Sequence, residues 1–350
     1  MTKILIHTGK RGSKIEEPLI HAGYSVVGIP ERMIKKNKIL KLVNLAKVIT
    51  REDPDLILVD SAGLMLISAF FLSTLFRIPL IVRARADIWG IYEEQKEYNT
   101  PYMRVYEWIL LMFCEAILRR SARIFSVSEY LKGVMKKKGI PAEKIRVMPF
   151  PIDCTRFHPG KRKDHTITLL SVANLTFKRK TEGLLEILPV MDEVISHHQT
   201  LRYVIAGGGQ FSGLLEETLN ALDNERIEYL GFQDEIENLF SRADIFIHYS
   251  FLDAYPTVVL EAMASGLPVI ANRSGGMIEQ VESGTGILVE NTQALRGALE
   301  HLIEDKSVRA AMGEKGRSYV LGEFNMVRVE TCYAKEIDEI LANTEVAEKS

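Results

Sequence analysis

Four short runs with an unbroken apolar heart constrain this chain most: DLILVD (55–60), PLIVRAR (79–85), DIFIHYS (244–250) and LPVIAN (267–272). A strand that is apolar on both faces must be covered on both faces. A parallel sheet layered between helices does that. Segments of helical period separate these runs. Ile39 to Thr50, for instance, repeats Leu42, Leu45, Ala46 and Ile49. KILIH, YSVVGI, RIFSVS and KIRVMPF supply further strands in the first half, and Gly139 closes a helix expected over Glu129 to Lys138. TITLLSVA, RYVIAGGG, RIEYLGF and GILVE do the same in the second half. Between the halves stand Pro149, Pro151, Pro159, Gly160 and a polar KRKDH, which place a linker at 152–165. The expectation is therefore α/β, with two Rossmann-like doubly wound domains at 1–155 and 165–320. Residues 321–350 are expected to be C-terminal helices able to pack back on the first domain. The two halves share no long-range identity, so they are two domains rather than a repeat array.

A length of 350 residues suits two domains. Cys114, Cys154 and Cys332 are odd in number, far apart and without metal spacing, so they read as reduced thiols. The chain opens directly on a strand pattern, with no cationic lead and apolar core before it. The best membrane-span candidate, Ala62 to Phe76, falls short of the roughly 20 residues a bilayer needs and reads as a buried helix. A cytoplasmic location is expected on these grounds, with peripheral contact at the inner face of the cell membrane left open.

Charge is split between the halves. Residues 1–160 carry 26 Lys+Arg against 16 Asp+Glu, and the remainder 18 against 30. A basic first half fits an anionic surface, such as a membrane leaflet or a phosphorylated acceptor. Tyr102 to Arg120 contains WILLMF with Arg119 and Arg120 behind it; Lys132 and Lys136 to Lys138 follow, and Lys35, Lys36, Lys38 and Lys41 form another cluster. The balance favours a core helix with a basic last turn over a membrane-interface helix, because apolar stripes are usually core.

The most informative segment is DAYPTVVLEAMASGLPVIANRSGG, Asp253 to Gly276. Asp253 follows a strand, and Tyr255 and Pro256 lead into a helix at Thr257. Pro suits helix entry because its missing N–H is not needed there. The free N–H groups around Thr257 and Val258 form a natural seat for a diphosphate. Glu261 lies about one turn inside. Carboxylates at both edges of that seat can accept hydrogen bonds from sugar hydroxyls.

Here the sequence resembles glycosyltransferase family 4, which has the two-domain GT-B fold with the domains facing a central cleft. The family pattern is a Glu, seven residues and a second Glu; this chain has Asp253 and Glu261, and EAMASGLPVIA runs on from Glu261. The resemblance implies that Glu261 binds the nucleotide ribose and Asp253 the donor sugar. In SVANLTFKRKTEGLLE (171–186) it implies a cationic clamp on the diphosphate, from a loop holding Lys178, Arg179 and Lys180. Asn174 stands where the family has Arg. The family's Lys falls on Arg179 by spacing, or on Lys180 with a one-residue insertion. Gly207 and Gly208 match a glycine turn at the ligand side, and Phe232 falls where a loop borders the nucleobase. Gly9 and Gly12 match a glycine loop near donor phosphate and sugar. They form neither a P-loop nor a dinucleotide fingerprint. In RARADIWG, Arg85 or Asp87 is a weaker candidate for contact with donor or acceptor; no His stands at the position where the family often has one.

The resemblance implies a retaining transferase acting from a nucleoside diphosphate sugar on a glycan, lipid or other hydroxyl acceptor. It implies no metal, no cofactor beyond the sugar nucleotide, and no nucleic acid partner. Two alternatives stand beside it: a nucleotide-sugar epimerase on the same fold, and a non-catalytic glycosyltransferase-like subunit, the latter motivated by Asn174 and Asp253.

Overall fold

The computed structural model describes residues 1–7, 13–29, 38–160, 166–281 and 284–349. Gly9, Gly12, Lys35, Lys36 and the KRKDH stretch of the expected linker lie outside the described residues. The chain divides into two compact units, Met1–Pro151 with Met326–Ser350, and Ile152–Asn325.

The first unit runs β1 (Lys3–His7), α1 (Ser13–His21), β2 (Ser25–Gly28), α2 (Lys38–Glu52), β3 (Leu56–Val59), α3 (Leu64–Phe76), β4 (Leu80–Ala84), α4 (Ile88–Gln95), α5 (Pro101–Arg120), β5 (Arg123–Ser126), α6 (Glu129–Lys137) and β6 (Ile145–Val147). All neighbouring strands pair in parallel, in the order β2-β1-β3-β4-β5-β6. Local chemistry marks the helix ends. Thr100 caps α5 ahead of Pro101, and Ser128 Oγ accepts from the Leu131 N–H at 3.1 Å to start α6. Gly139, at φ +75°, takes the left-handed turn that ends α6.

Two sequence expectations change in this unit. α3 was expected to be buried and α5 to be a core helix. In α5 only Cys114, Ile117 and Leu118 are buried, while Trp108, Met112 and Phe113 face solvent. α3 buries Met65, Leu66, Ala69 and Leu72 but leaves Phe71 and Leu75 exposed. Both helices are apolar on nearly every side, so periodicity could not say which side the sheet would take.

The second unit runs β7 (Ile167–Asn174), α7 (Lys178–His197), β8 (Leu201–Gly208), α8 (Ser212–Leu222), β9 (Ile227–Tyr229), α9 (Glu237–Arg242), β10 (Ile245–His248), α10 (Thr257–Ala264), β11 (Val269–Asn272), α11 (Met277–Gln280), β12 (Gly286–Val289), α12 (Thr292–Glu304) and α13 (Lys306–Glu323). Its parallel sheet has the order β12-β11-β10-β7-β8-β9. One face of this sheet is buried by a cluster that includes Leu184, Ile187, Tyr203, Ile245, Ile270 and Leu299. The Lys178–Lys180 stretch, expected as a loop, is the first turn of α7.

α14 (Met326–Lys349) belongs to the first unit. Tyr333 is fully buried and meets Phe125 edge-on at 5.4 Å, with Ile337 beside it. Arg123 Nη2 donates to Glu339 at 2.7 Å, and Tyr24 Oη donates to Asp338 at 2.7 Å.

Candidate functional site

In the second unit β7, the first strand, lies beside β10, the fourth. The connections from these two strands leave in opposite directions, which opens a crevice at their carboxyl ends. Ser171, Asn174, Lys180, His248, Ser250 and Asp253 line it. Among the sequence candidates, Asn174, Lys180 and Asp253 therefore converge on one place.

The backbone explains how. Gly183 lies one turn after Lys180 and against the end of β10. A Cβ there would stand 2.5 Å from the Tyr249 carbonyl oxygen and 2.9 Å from Ser250 Cα. Only glycine lets α7 approach so closely, and that approach carries Lys180 to the loop after β10. The loop is fastened from the other side. The Asn272 side chain accepts from the Ser250 N–H at 2.9 Å and donates to the Ser250 carbonyl at 3.0 Å. The Gly276 N–H donates to the Asp253 carbonyl at 3.2 Å, and a Cβ on Gly276 would stand 1.9 Å from the Ala254 oxygen. Gln280 is fully buried and donates to the Pro256 carbonyl at 3.0 Å.

Asp253 is the electrostatic centre. Its Oδ1 meets the Lys180 ammonium, and its Oδ2 lies 3.1 Å from His248 Nε2. Burial pulls the carboxyl upward, but the Lys180 charge and the His248 hydrogen bond outweigh it and hold Asp253 well below the usual carboxylate range. Asp253 is thus an anion near neutral pH, with lone-pair capacity beyond its two partners. His248 is buried and lies parallel to Phe246 at 6.3 Å. Sequence reasoning missed it. The available signal was a histidine at the carboxyl end of a core strand, five residues before Asp253.

Lys178, Arg179 and Lys180 occupy the first turn of α7, which holds no acid. Cations there oppose the helix dipole, a placement that becomes favourable once an anion sits at the same end. Of the two positions offered for the family's Lys, Lys180 is the one joined to Asp253. Lys178 pairs with Glu182 at 3.5 Å, and Arg179 is exposed. Asn174 accepts from the Thr176 N–H at 3.0 Å, closing its own turn.

α10 starts at Thr257 behind Pro256, with no side-chain cap on its first turn. Val258 is partly exposed there, and Tyr255 tilts toward Phe324 at 6.4 Å. Glu261 is buried on the same helix. Arg156, hydrogen-bonded to Glu237 at 2.7 Å and within the field of Glu261, is held above its ordinary value. Arg156 is a second residue the sequence did not flag. Gly207 and Gly208 end β8, but their close approach is to protein. A Cβ on Gly207 would stand 1.8 Å from the Ala173 oxygen, and one on Gly208 would stand 3.2 Å from Phe232 Cβ. Phe232 itself stands exposed.

In the first unit, Arg85 and Asp87 have structural partners. Arg85 Nε lies 2.6 Å from Asp60, and Arg83 lies 3.2 Å from the same buried carboxylate. Asp87 caps α4, accepting from the Trp89 and Gly90 N–H groups at 3.1 and 2.9 Å. At the carboxyl ends of β1 and β3, His7 Nδ1 lies 3.2 Å from Ser61 Oγ. Asp60, His7 and Ser61 also escaped the sequence reading.

Residues 155–319 match the profile of "Glycosyl transferases group 1", and residues 3–156 that of "Glycosyltransferase Family 4". The chain is 26% identical over 307 residues to a GDP-mannose-dependent alpha-mannosyltransferase of Corynebacterium glutamicum, covering 83% of this chain and 70% of that one. It is 26% identical over 168 residues to N-acetyl-alpha-D-glucosaminyl L-malate synthase of Bacillus anthracis, covering 47% and 43%. The chain spans about half the length of several of the curated relatives it matches. Among solved structures, sucrose-phosphate synthase of Thermosynechococcus elongatus superposes with a TM-score of 0.82 at 17% identity, covering 98% of this chain and 100% of that one. HepE of Anabaena, solved with UDP and glucose, superposes with a TM-score of 0.73 at 18% identity, covering 97% and 100%. These likenesses identify the fold as GT-B.

Proposed function

From the matches of residues 3–156 and 155–319 to the two glycosyltransferase profiles, we propose that the chain moves a sugar from a nucleoside diphosphate sugar to a hydroxyl acceptor, with retention of configuration and without a metal. The observation that carries this reading is the junction of Lys180 with Asp253 in the crevice between β7 and β10. It holds a cation of α7 at the carboxyl end of a parallel sheet, against the loop that leads into the uncapped start of α10.

In this reading the diphosphate lies between Lys180 and the first-turn N–H groups of α10 at Thr257 and Val258. Glu261 accepts from the ribose hydroxyls. Asp253 holds Lys180 in place and offers its remaining lone pairs to a donor-sugar hydroxyl. Arg179 and Lys178 add to the positive field, while Asn174, Gly207, Gly208 and Phe232 border the nucleotide. The bond from the anomeric carbon to the phosphate oxygen breaks, and the acceptor oxygen bonds to that carbon on the same face. The acceptor proton passes to the departing phosphate. Negative charge grows on the diphosphate as the bond breaks, and Lys180 with the helix end stabilises it in proportion. The UDP and glucose bound to HepE, and the GDP-mannose dependence in the name of the Corynebacterium relative, support a sugar-nucleotide donor. The first unit serves the acceptor.

Slow donor hydrolysis followed by proton NMR tests the reading. The first sugar released should keep the donor's anomeric configuration, at a rate unchanged by EDTA. Release of the opposite anomer, or loss of activity restored by a divalent cation, would contradict it.

A further inference from the structure

The outer face of α5 has no partner among the described residues of its unit. Tyr102, Val105, Trp108, Ile109, Met112 and Phe113 recur at helical spacing and are all exposed, from 42% for Ile109 to 77% for Tyr102. With a full side-chain area of roughly 200 Å² each, they present on the order of 600 Å² of apolar surface, the upper end of what a monomeric soluble protein shows. α3 packs beside α5 and adds Phe71 and Leu75, also exposed.

Charge tells what covers this face. The two carboxylates of α5 are engaged elsewhere: Glu107 accepts from Asn99 at 2.7 Å, and Glu115 pairs with Arg119 at 2.6 Å. No acid remains on the apolar stripe. At its carboxyl end the stripe runs past the neutral Glu115–Arg119 pair into exposed Arg120. Arg119 donates to the Lys138 and Gly139 carbonyls, which brings exposed Lys136 and Lys137 to the same end. An apolar stripe that ends in a cationic cluster matches the boundary between acyl chains and anionic headgroups. No helix of the described residues is long and apolar enough to cross a membrane, so α5 would lie in the interface.

We infer that the outer face of α5, extended by α3, seats this protein on a bilayer with anionic headgroups. The inference stands apart from the donor site, because no residue in it lines the crevice of the second unit.

The chain has two tryptophans, Trp89 at 6% exposure and Trp108 at 50%. In Trp89→Phe the fluorescence reports Trp108 alone. Vesicles of phosphatidylcholine with about one-third phosphatidylglycerol, a charge density that attracts basic patches, should shift its emission to the blue. Pure phosphatidylcholine vesicles should not. In co-sedimentation, the chain carrying Trp108→Ser, Met112→Ser and Phe113→Ser together should lose roughly 100-fold or more in partitioning. Arg120→Gln should lose about fivefold. Both variants should keep the wild-type thermal melt. Absence of vesicle binding by wild type would overturn the inference, as would equal binding to neutral vesicles. So would self-association that the triple substitution abolishes while vesicle binding stays absent, since the face would then be a contact between copies.

Discussion

Replacing Gly183 with Ala tests how the site is assembled. The added Cβ would stand 2.5 Å from the Tyr249 oxygen, about 0.9 Å inside the 3.4 Å at which ordinary contact begins. Tyr249 cannot retreat easily. It sits at the end of a central strand, with its ring 5.7 Å from Phe251 and its hydroxyl donating to Glu186 at 3.0 Å. The start of α7 must therefore move, and Lys180 moves with it. Overpacking of this kind costs about 1–3 kcal/mol, while Ala for Gly inside a helix returns about 1 kcal/mol. The expected net loss is about 1 kcal/mol, a small change in a urea midpoint. The functional loss should be larger. A displacement near 1 Å at a catalytic group costs about 100-fold in rate. Urea unfolding and release of nucleoside diphosphate from the donor, measured on the same preparations, separate the two effects. A variant with wild-type turnover would refute the idea that close packing of α7 on β10 positions Lys180.

Other substitutions probe the same framework. Asp253→Asn leaves the Lys180 ammonium without its anion and should destabilise by about 3 kcal/mol at neutral pH. Because the folded carboxyl lies below its unfolded value near 4, the wild-type advantage is complete above that value and fades as pH falls toward the folded one; urea midpoints from pH 7 to pH 3 should show the gap closing only at the acid end. Gly297→Ala, in the middle of α12 with nothing within 4 Å of the new Cβ, should stabilise by up to about 1 kcal/mol in thermal unfolding. Asp60→Asn unpairs Arg83, which is itself buried, and should lower stability by about 3 kcal/mol without changing the affinity for donor nucleotide.

Strands and their order of appearance were legible because each core run is apolar on both faces, a pattern few other structures produce. Asp253 and Glu261 were legible through the segment that contains them. What escaped depends on which strands become neighbours. His248 means little in DIFIHYS until β10 lies beside β7, and Asp60 means little in DLILVD until β4 delivers Arg83 to it. The first turn of α7 read as a loop because three successive cations and no capping residue oppose helix entry; the Lys180–Asp253 and Lys178–Glu182 pairs compensate. The glycines after β8 read as an approach to ligand, whereas Gly207 is required by the backbone of β7. α5 read as core because apolar residues surround it on nearly all sides. The same composition serves a helix with one face on the sheet and another facing outward.

Binding of sugar nucleotides to wild type and to Glu261→Ala tests the central claim most directly. Calorimetric titration with UDP-, GDP- and ADP-sugars reads it. The expected result is one donor that binds wild type without added metal, with affinity at least tenfold weaker in the variant, as befits the loss of charge-assisted hydrogen bonds to ribose. No binding by any donor, or equal affinity in the two proteins, would contradict a donor site built on α10.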